Sequence, residues 1–223
     1  MAQQLITSVT PDPRRPGAAR VHGADGRVWT VAREAVQVLG AAAGAPLSEG
    51  LESALDSAAE TEGALRAALR SLTRRAFARR DLARRLRQKS HAEPAVAGAL
   101  DQLDRTGLLD DTRFAIGYVE TRAARGRGPA RLRRDLGAMG VSSQDIDTAL
   151  RQLWPEGGPD DETPRALAKK RLRRLPGLSR EVQRRRLLAF LARRGYTGDT
   201  ARKAVAAAMK AATPEADGVA RRA

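Results

Sequence analysis

The 223-residue sequence has no cysteine, two histidines and only 3% aromatic residues. Without cysteine there is no disulfide, no thiolate nucleophile and no thiolate metal site, which fits a reducing compartment. His22 and His91 have neither a neighbouring cysteine nor a His-x3-His partner, so they read as surface residues of turns rather than zinc ligands. No metal and no cofactor are expected. No stretch approaches the roughly 18 apolar residues of a membrane span, and the opening MAQQLITSVTPDPRRPG lacks the apolar region of a signal peptide. A cytoplasmic protein without membrane contact is the expectation. So few aromatics among abundant Ala, Leu and Arg imply a core of small aliphatic contacts between close-packed helices.

Catalytic groupings are also missing. Gly126-Arg127-Gly128 follows a helix rather than a strand and lacks the Gly-Lys-Ser/Thr of a phosphate loop, so it reads as a break and restart of a helix. Asp110-Asp111 and Asp160-Asp161 suit helix caps and linkers better than a metal site or a glycosidase pair. No active site, and no enzyme, is expected.

Positive charge is what the chain has in excess. The formal net charge is +15, unevenly spread: five basic against eight acidic residues over 1–63, eleven against five over 64–110, eight against five over 111–154, and seventeen against eight over 155–223. A basic surface this long suits a polyanion, either a nucleic-acid backbone or a protein already bound to one. Solubility alone is the plainer alternative.

Residues 1–18, with three prolines, read as a disordered arm. Residues 19–62 read as a β-hairpin with a short helix: Arg20-Val21-His22, a turn at Gly23-Ala24-Asp25-Gly26, then Arg27 to Val31, with Trp29 expected to anchor the module rather than stack on a base. From Leu51 the helical period takes over and the chain repeats itself. Leu82, Leu86, Ser90, Val96, Leu100 and Leu103 match Leu132, Leu136, Gly140, Ile146, Leu150 and Leu153 fifty residues on. A fainter copy follows at Leu187, Leu191, Gly195, Ala201, Val205 and Ala208. The predicted fold is therefore mainly α: three tandem three-helix, helix-turn-helix-like repeats in an elongated curved arrangement, with a small N-terminal β-hairpin module.

The repeats are expected at 63–110, 111–154 and 163–212, with a linker at 155–162 allowing independent tilting of the last, and a disordered tail at 213–223. Gly107 ends one helix and Asp110 or Asp111 caps the next, while Pro129 suits the first turn of a helix carrying Leu132, Leu136 and Met139 on one stripe. The candidate binding residues are Arg74, Arg75, Arg79, Arg80 and Arg84 on the first repeat, Arg125, Arg127, Arg131, Arg133 and Arg134 on the second, and Lys169, Lys170, Arg173 and Arg174 on the third. Guanidinium groups grip phosphate oxygens with paired donors, giving affinity without sequence preference, and grip carboxylates equally well. Phe77, Phe114, Tyr118, Phe190 and Tyr196 sit at helical spacings and read as core rather than base-stacking rings.

Gly107-Leu108-Leu109-Asp110-Asp111-Thr112-Arg113-Phe114-Ala115, then Arg125-Gly126-Arg127-Gly128-Pro129-Ala130-Arg131-Leu132-Arg133-Arg134-Asp135-Leu136 and Met139-Gly140-Val141, resemble the central signature of the RecX regulatory proteins. Arg75, Asp81-Leu82 and Leu86 resemble that family's first-repeat motif, and the Trp29 hairpin resembles the N-terminal extension of some members. The resemblance covers about residues 64–154 and, more faintly, the third repeat. Ala78 stands where serine is usual, Ser90 where the turn glycine is usual and Asp81 where glutamate is usual, departures that bear on the geometry of the first turn. The resemblance implies a non-enzymatic modulator of the RecA recombinase filament that inhibits ATPase, strand-exchange and coprotease activities, and so acts in DNA repair and the SOS response. The expected partners are the RecA filament and single- and double-stranded DNA, bound largely without sequence preference by a monomer. A helix-turn-helix transcription regulator and a general nucleic-acid-binding protein remain the alternatives.

Overall fold

Burial along Ala18–Gly23 (β2) alternates as a half-covered strand requires: Val21 is fully buried, while Arg20 and His22 turn partly to solvent. In this computed structural model, which describes residues 4–155 and 162–212, β2 is the centre of a three-stranded antiparallel sheet between Ile6–Pro11 (β1) and Val28–Ala32 (β3). The hairpin of β2 and β3 sets Val21 opposite Trp29 and Arg20 opposite Thr30. The reading of residues 1–18 as a disordered arm is overturned from Ile6 onward. Ile6, Thr7, Val9 and Thr10 are strand formers, and the prolines fall where they cost little: Pro11 ends an edge strand, and Pro13 and Pro16 lie in the loop after it.

A short helix, Arg33–Val38 (α1), leads to Glu49–Leu72 (α2), whose N-terminus is capped by the Ser48 hydroxyl accepting from the Leu51 amide. This helix starts well before residue 63, where the first repeat is expected to begin, because its apolar stripe serves two cores. Leu55 packs under the sheet with Ile6, Val21, Trp29 and Val31, whereas Ala64, Leu65, Ala67 and Ala68 belong to the first repeat. Polar contacts clamp the module to the same helix. The Trp29 indole N–H donates to Asp56 at 2.6 Å, and Arg15 from the β1–β2 loop ion-pairs with the buried Glu62. Burial pushes the Glu62 carboxyl up, against the pull of Arg15 and Arg66 beside it.

Arg79–Arg87 (α3) and Glu93–Arg105 (α4) complete the first repeat with α2. The second repeat is Asp111–Ala123 (α5), Pro129–Met139 (α6) and Ser143–Leu153 (α7), and the third is Glu162–Leu172 (α8), Arg180–Arg194 (α9) and Gly198–Lys210 (α10). In each, the leading and closing helices pack together and the middle helix packs on both. The middle helices each bury a leucine pair completely: Leu82 and Leu86, Leu132 and Leu136, Leu187 and Leu191. Each then ends in the same turn. Ser90, Gly140 and Gly195 have φ of 65°, 87° and 94°, and the amides of His91, Val141 and Tyr196 donate back to Leu86, Leu136 and Leu191 at 3.3, 3.2 and 3.0 Å. These are the bonds of a Schellman turn. Ser90 thus keeps the glycine geometry, and it is the one non-glycine residue at positive φ among those described. Position 78 is the N-cap of α3, so the alanine there leaves the helix start without a side-chain acceptor.

The chain divides into two compact units, Met1–Asp110 and Asp111–Ala223, parting at the passage after Gly107. The second unit contains two repeats that are locked together rather than independently tilting. The Gly128 amide donates to the Arg194 carbonyl at 2.7 Å and the Ala130 amide to the Gly195 carbonyl at 3.2 Å, so orphan donors at the start of α6 meet orphan acceptors at the end of α9. The Arg194 guanidinium donates to the carbonyls of Arg125 and Gly126 at 3.1 and 3.4 Å. A Cβ on Gly128 would lie 2.6 Å from the Gly195 carbonyl, and one on Gly195 would lie 2.4 Å from the Arg131 nitrogen. Of the linker expected at 155–162, residues 156–161 lie outside the described residues, as does the tail expected at 213–223.

Ser90→Gly relieves a left-handed side chain and is expected to raise stability by up to about 1 kcal/mol. Ala78→Ser supplies the missing cap and is expected to add about 1 kcal/mol. Urea unfolding measures both, and no gain from either would mean the first turn carries no deficit. Gly107 has φ of 66° with open space where its Cβ would go, so Gly107→Ala should show backbone strain alone. Gly195→Ala should lose that strain energy and the bonds to α6 as well; equal losses would contradict the lock.

Candidate functional site

Helix α3 turns Leu82, Ala83 and Leu86 inward, which places Arg80, Arg84 and Arg87 at i, i+4 and i+7 on the solvent side. Their surroundings then divide them. Arg84 and Arg75 both pair with Asp81, Arg75 at 3.4 Å, and the Arg75 guanidinium also lies 3.6 Å from the centroid of the Phe77 ring. Arg79 reaches across to α4, pairing with Asp101 at 2.6 Å and with Asp104. Arg87 holds Glu93 at 2.7 Å, and that hydrogen bond draws the Glu93 carboxyl below its ordinary range. Arg74 and Arg80 are exposed, and their side chains have no ion-pair or hydrogen-bond partner among the described residues.

The second repeat shows the same division. Arg127 and Arg131, the latter at 2.8 Å, converge on Asp135, whose side chain is 13% exposed and which also receives the Tyr118 hydroxyl at 3.4 Å. Arg133 pairs with Asp147 on α7. Arg134 is exposed and unpaired among the described residues; the Arg125 side chain is exposed too, and its carbonyl serves the lock to α9. On the third repeat Lys169, Lys170, Arg173 and Arg174 are all exposed without a partner among the described residues.

Of the fourteen candidate residues, eight therefore present open cations and six already hold carboxylates. The difference matters energetically. An exposed pair such as Arg133–Asp147 is worth roughly 0–1 kcal/mol and exchanges readily for a phosphate, whereas the partly buried cluster on Asp135 braces the second repeat. The rings do not form a stacking platform. Phe77 and Tyr196 are buried, and Trp29 is 4% exposed with Arg27 over its face at 5.0 Å. Arg122 lies over Tyr118, and Arg171 and Arg194 over Phe190. Arg184, Arg185 and Arg186, a further arginine cluster that the sequence shows on the third repeat, are exposed on α9 as well. Among the described residues, no three His, Cys, Asp or Glu side chains gather where a metal could bind, and no helix is long and apolar enough to cross a membrane.

The described residues thus form tandem three-helix units of helix-turn-helix type that carry cations on their middle helices. Two family models match: RecX, second three-helix domain, over residues 110–150, and RecX, third three-helix domain, over residues 160–205. The Regulatory protein RecX of Streptomyces coelicolor is 40% identical over 134 residues, covering 59% of this chain and 70% of the relative. That of Ectopseudomonas mendocina is 39% identical over 131 residues, covering 57% and 83%. A crystal structure of regulatory protein RecX superposes with a TM-score of 0.76 at 23% identity, covering 91% of this chain and 98% of that one. The chain belongs to the RecX family of regulatory proteins.

The division of the arginines is testable in solution. Replacing Arg80, Arg134 and Arg173 together with alanine should flatten the salt dependence of oligothymidylate binding by about 0.7 in log–log slope per lost phosphate contact. Arg127→Ala should instead lower the unfolding midpoint with little change in that slope. A loss of slope from Arg127→Ala as large as from the exposed residues would show that Asp135 does not sequester it.

Proposed function

We propose that this chain is a non-enzymatic regulator of the RecA recombinase, binding the recombinase filament and its DNA as a monomer in the cytoplasm and inhibiting ATP turnover, strand exchange and coprotease activity. The observation that carries this reading is the set of eight open cations spread over all three repeats. Each is too weak alone to hold a partner, and each suits either a phosphate or a surface carboxylate. A filament on DNA offers both in a regular array, so many modest contacts add through effective concentration rather than through any single strong one. Regulatory relatives at close to 40% identity support it. Single- and double-stranded DNA would be held largely without sequence preference, because backbone contacts carry no base information.

Titrating the protein into a RecA ATP-turnover and strand-exchange assay tests the proposal. Wild-type protein should inhibit both, and a variant carrying Arg80→Glu, Arg134→Glu and Arg173→Glu should need at least about tenfold more protein for the same inhibition, the weakening expected when several contacts of one array are reversed in sign, with helicity unchanged. No inhibition by the wild type, or full potency of the variant, would overturn it. Competition with random duplex DNA separates it from a helix-turn-helix transcription regulator, which would keep one sequence bound.

A further inference from the structure

The third repeat carries apolar surface beside its open cations, and the phosphate-binding reading leaves that apolar part unused. Between the end of α8, the start of α9 and the end of α10 lies an open cavity of about 430 Å³, floored by Leu172, Leu175 and Met209 and rimmed by Lys169, Arg173 and Arg180. Across Met209 lies a second of about 310 Å³ between α9 and α10, floored by Leu188, Val205 and Met209 and rimmed by Arg184 and Lys203. The two adjoin at Met209, which lines both, and together they border α10 from Lys203 to Met209, about 9 Å or nearly two helical turns, as the two parts of a shallow groove. Arg202, also at its edge, is held by Asp199 at 2.5 Å.

Two features fix the chemistry of an occupant. The floor is aliphatic, with a methionine that can repack around a bulky apolar side chain. Every charged residue of the rim is a cation: no Asp or Glu lines either cavity among the described residues. A nucleic-acid backbone would satisfy the rim and leave the floor wet, and no aromatic ring lines the groove on which a base could stack. We infer that this groove docks a short amphipathic acidic segment of a partner protein, its leucine-like side chains on Leu172, Leu188 and Met209 and its carboxylates on Lys169, Arg173, Arg184 and Lys203. This is the helix-in-groove mode of recognition with the charge complement supplied by the rim. The inference goes beyond the regulatory reading and does not depend on it.

The test uses the full chain and three synthetic probes: a helical peptide of about twelve residues with leucines on one face and glutamates on the other, a scrambled peptide of equal composition, and a polyglutamate of equal charge. The amphipathic peptide should bind at least about tenfold more tightly than either control, reflecting burial of its apolar face. Leu172→Gln with Met209→Gln should erase most of that advantage while leaving oligothymidylate affinity unchanged. Should that variant lose helicity, Arg184→Glu with Lys203→Glu, both exposed, should weaken the peptide to a similar degree. Polyglutamate binding as tightly as the peptide, or folded floor variants that bind the peptide normally, would overturn the inference. An equal loss of oligothymidylate binding would assign the groove to nucleic acid, and self-association abolished by the floor variant would assign it to a second copy of the chain; either outcome also overturns it. No recombinase enters the assay, so its failure leaves the proposed regulation standing.

Discussion

Each repeat turns on one residue held at positive φ in the turn that ends its middle helix. That residue lets the next amide reach back to the carbonyl of a buried leucine, so the turn and the core are pinned by the same side chain's backbone. The closing helix can then return onto the leading helix and bury Val96, Ile146 or Ala201 at matching positions. In the third repeat the constraint does double work. Gly195 makes the turn of its own repeat, and its carbonyl also receives the Ala130 amide of the second. Two helix ends that would otherwise expose unpaired groups complete one another, at a backbone approach that leaves no room for a Cβ on Gly128 or Gly195.

That architecture decides which charges are available. Cations near the helix contacts are drawn into pairs that brace a repeat, as Arg79 is to Asp101 and Asp104, and Arg127 and Arg131 to Asp135. Those pointing away from the contacts remain open, as Arg80, Arg134, Lys169, Lys170, Arg173 and Arg174 do. The surplus of positive charge is thus larger in the sequence than among the cations left without an ion-pair partner. It is also unevenly coupled to apolar surface, since the groove along α10 joins cations to an aliphatic floor.

Much of this was legible before any coordinates. Leucine pairs spaced by fifty and then fifty-five residues predict the three middle helices, and all six leucines are fully buried. The turn residues aligned with them likewise share one backbone conformation. What sequence could not supply was anything depending on contact between distant segments. The strand at Ile6–Pro11 is disguised by prolines that become harmless only at an edge. The extra length of α2 is invisible because its first half serves a different core. Asp135 looks like one acid among arginines until α6 brings Arg127 and Arg131 onto it. Gly126-Arg127-Gly128 reads as a helix break, which it is, yet its second glycine is demanded by a helix more than sixty residues away.

Native-state hydrogen exchange at the Gly128 and Ala130 amides tests the docking of the second and third repeats most directly. If the two repeats form one body, these amides exchange only through the same global opening that exposes the Leu136 and Leu191 amides, with an equal free energy. Exchange at the rate of an exposed loop, with the leucine amides still protected, would show that the helix ends are not joined and that the two repeats move separately.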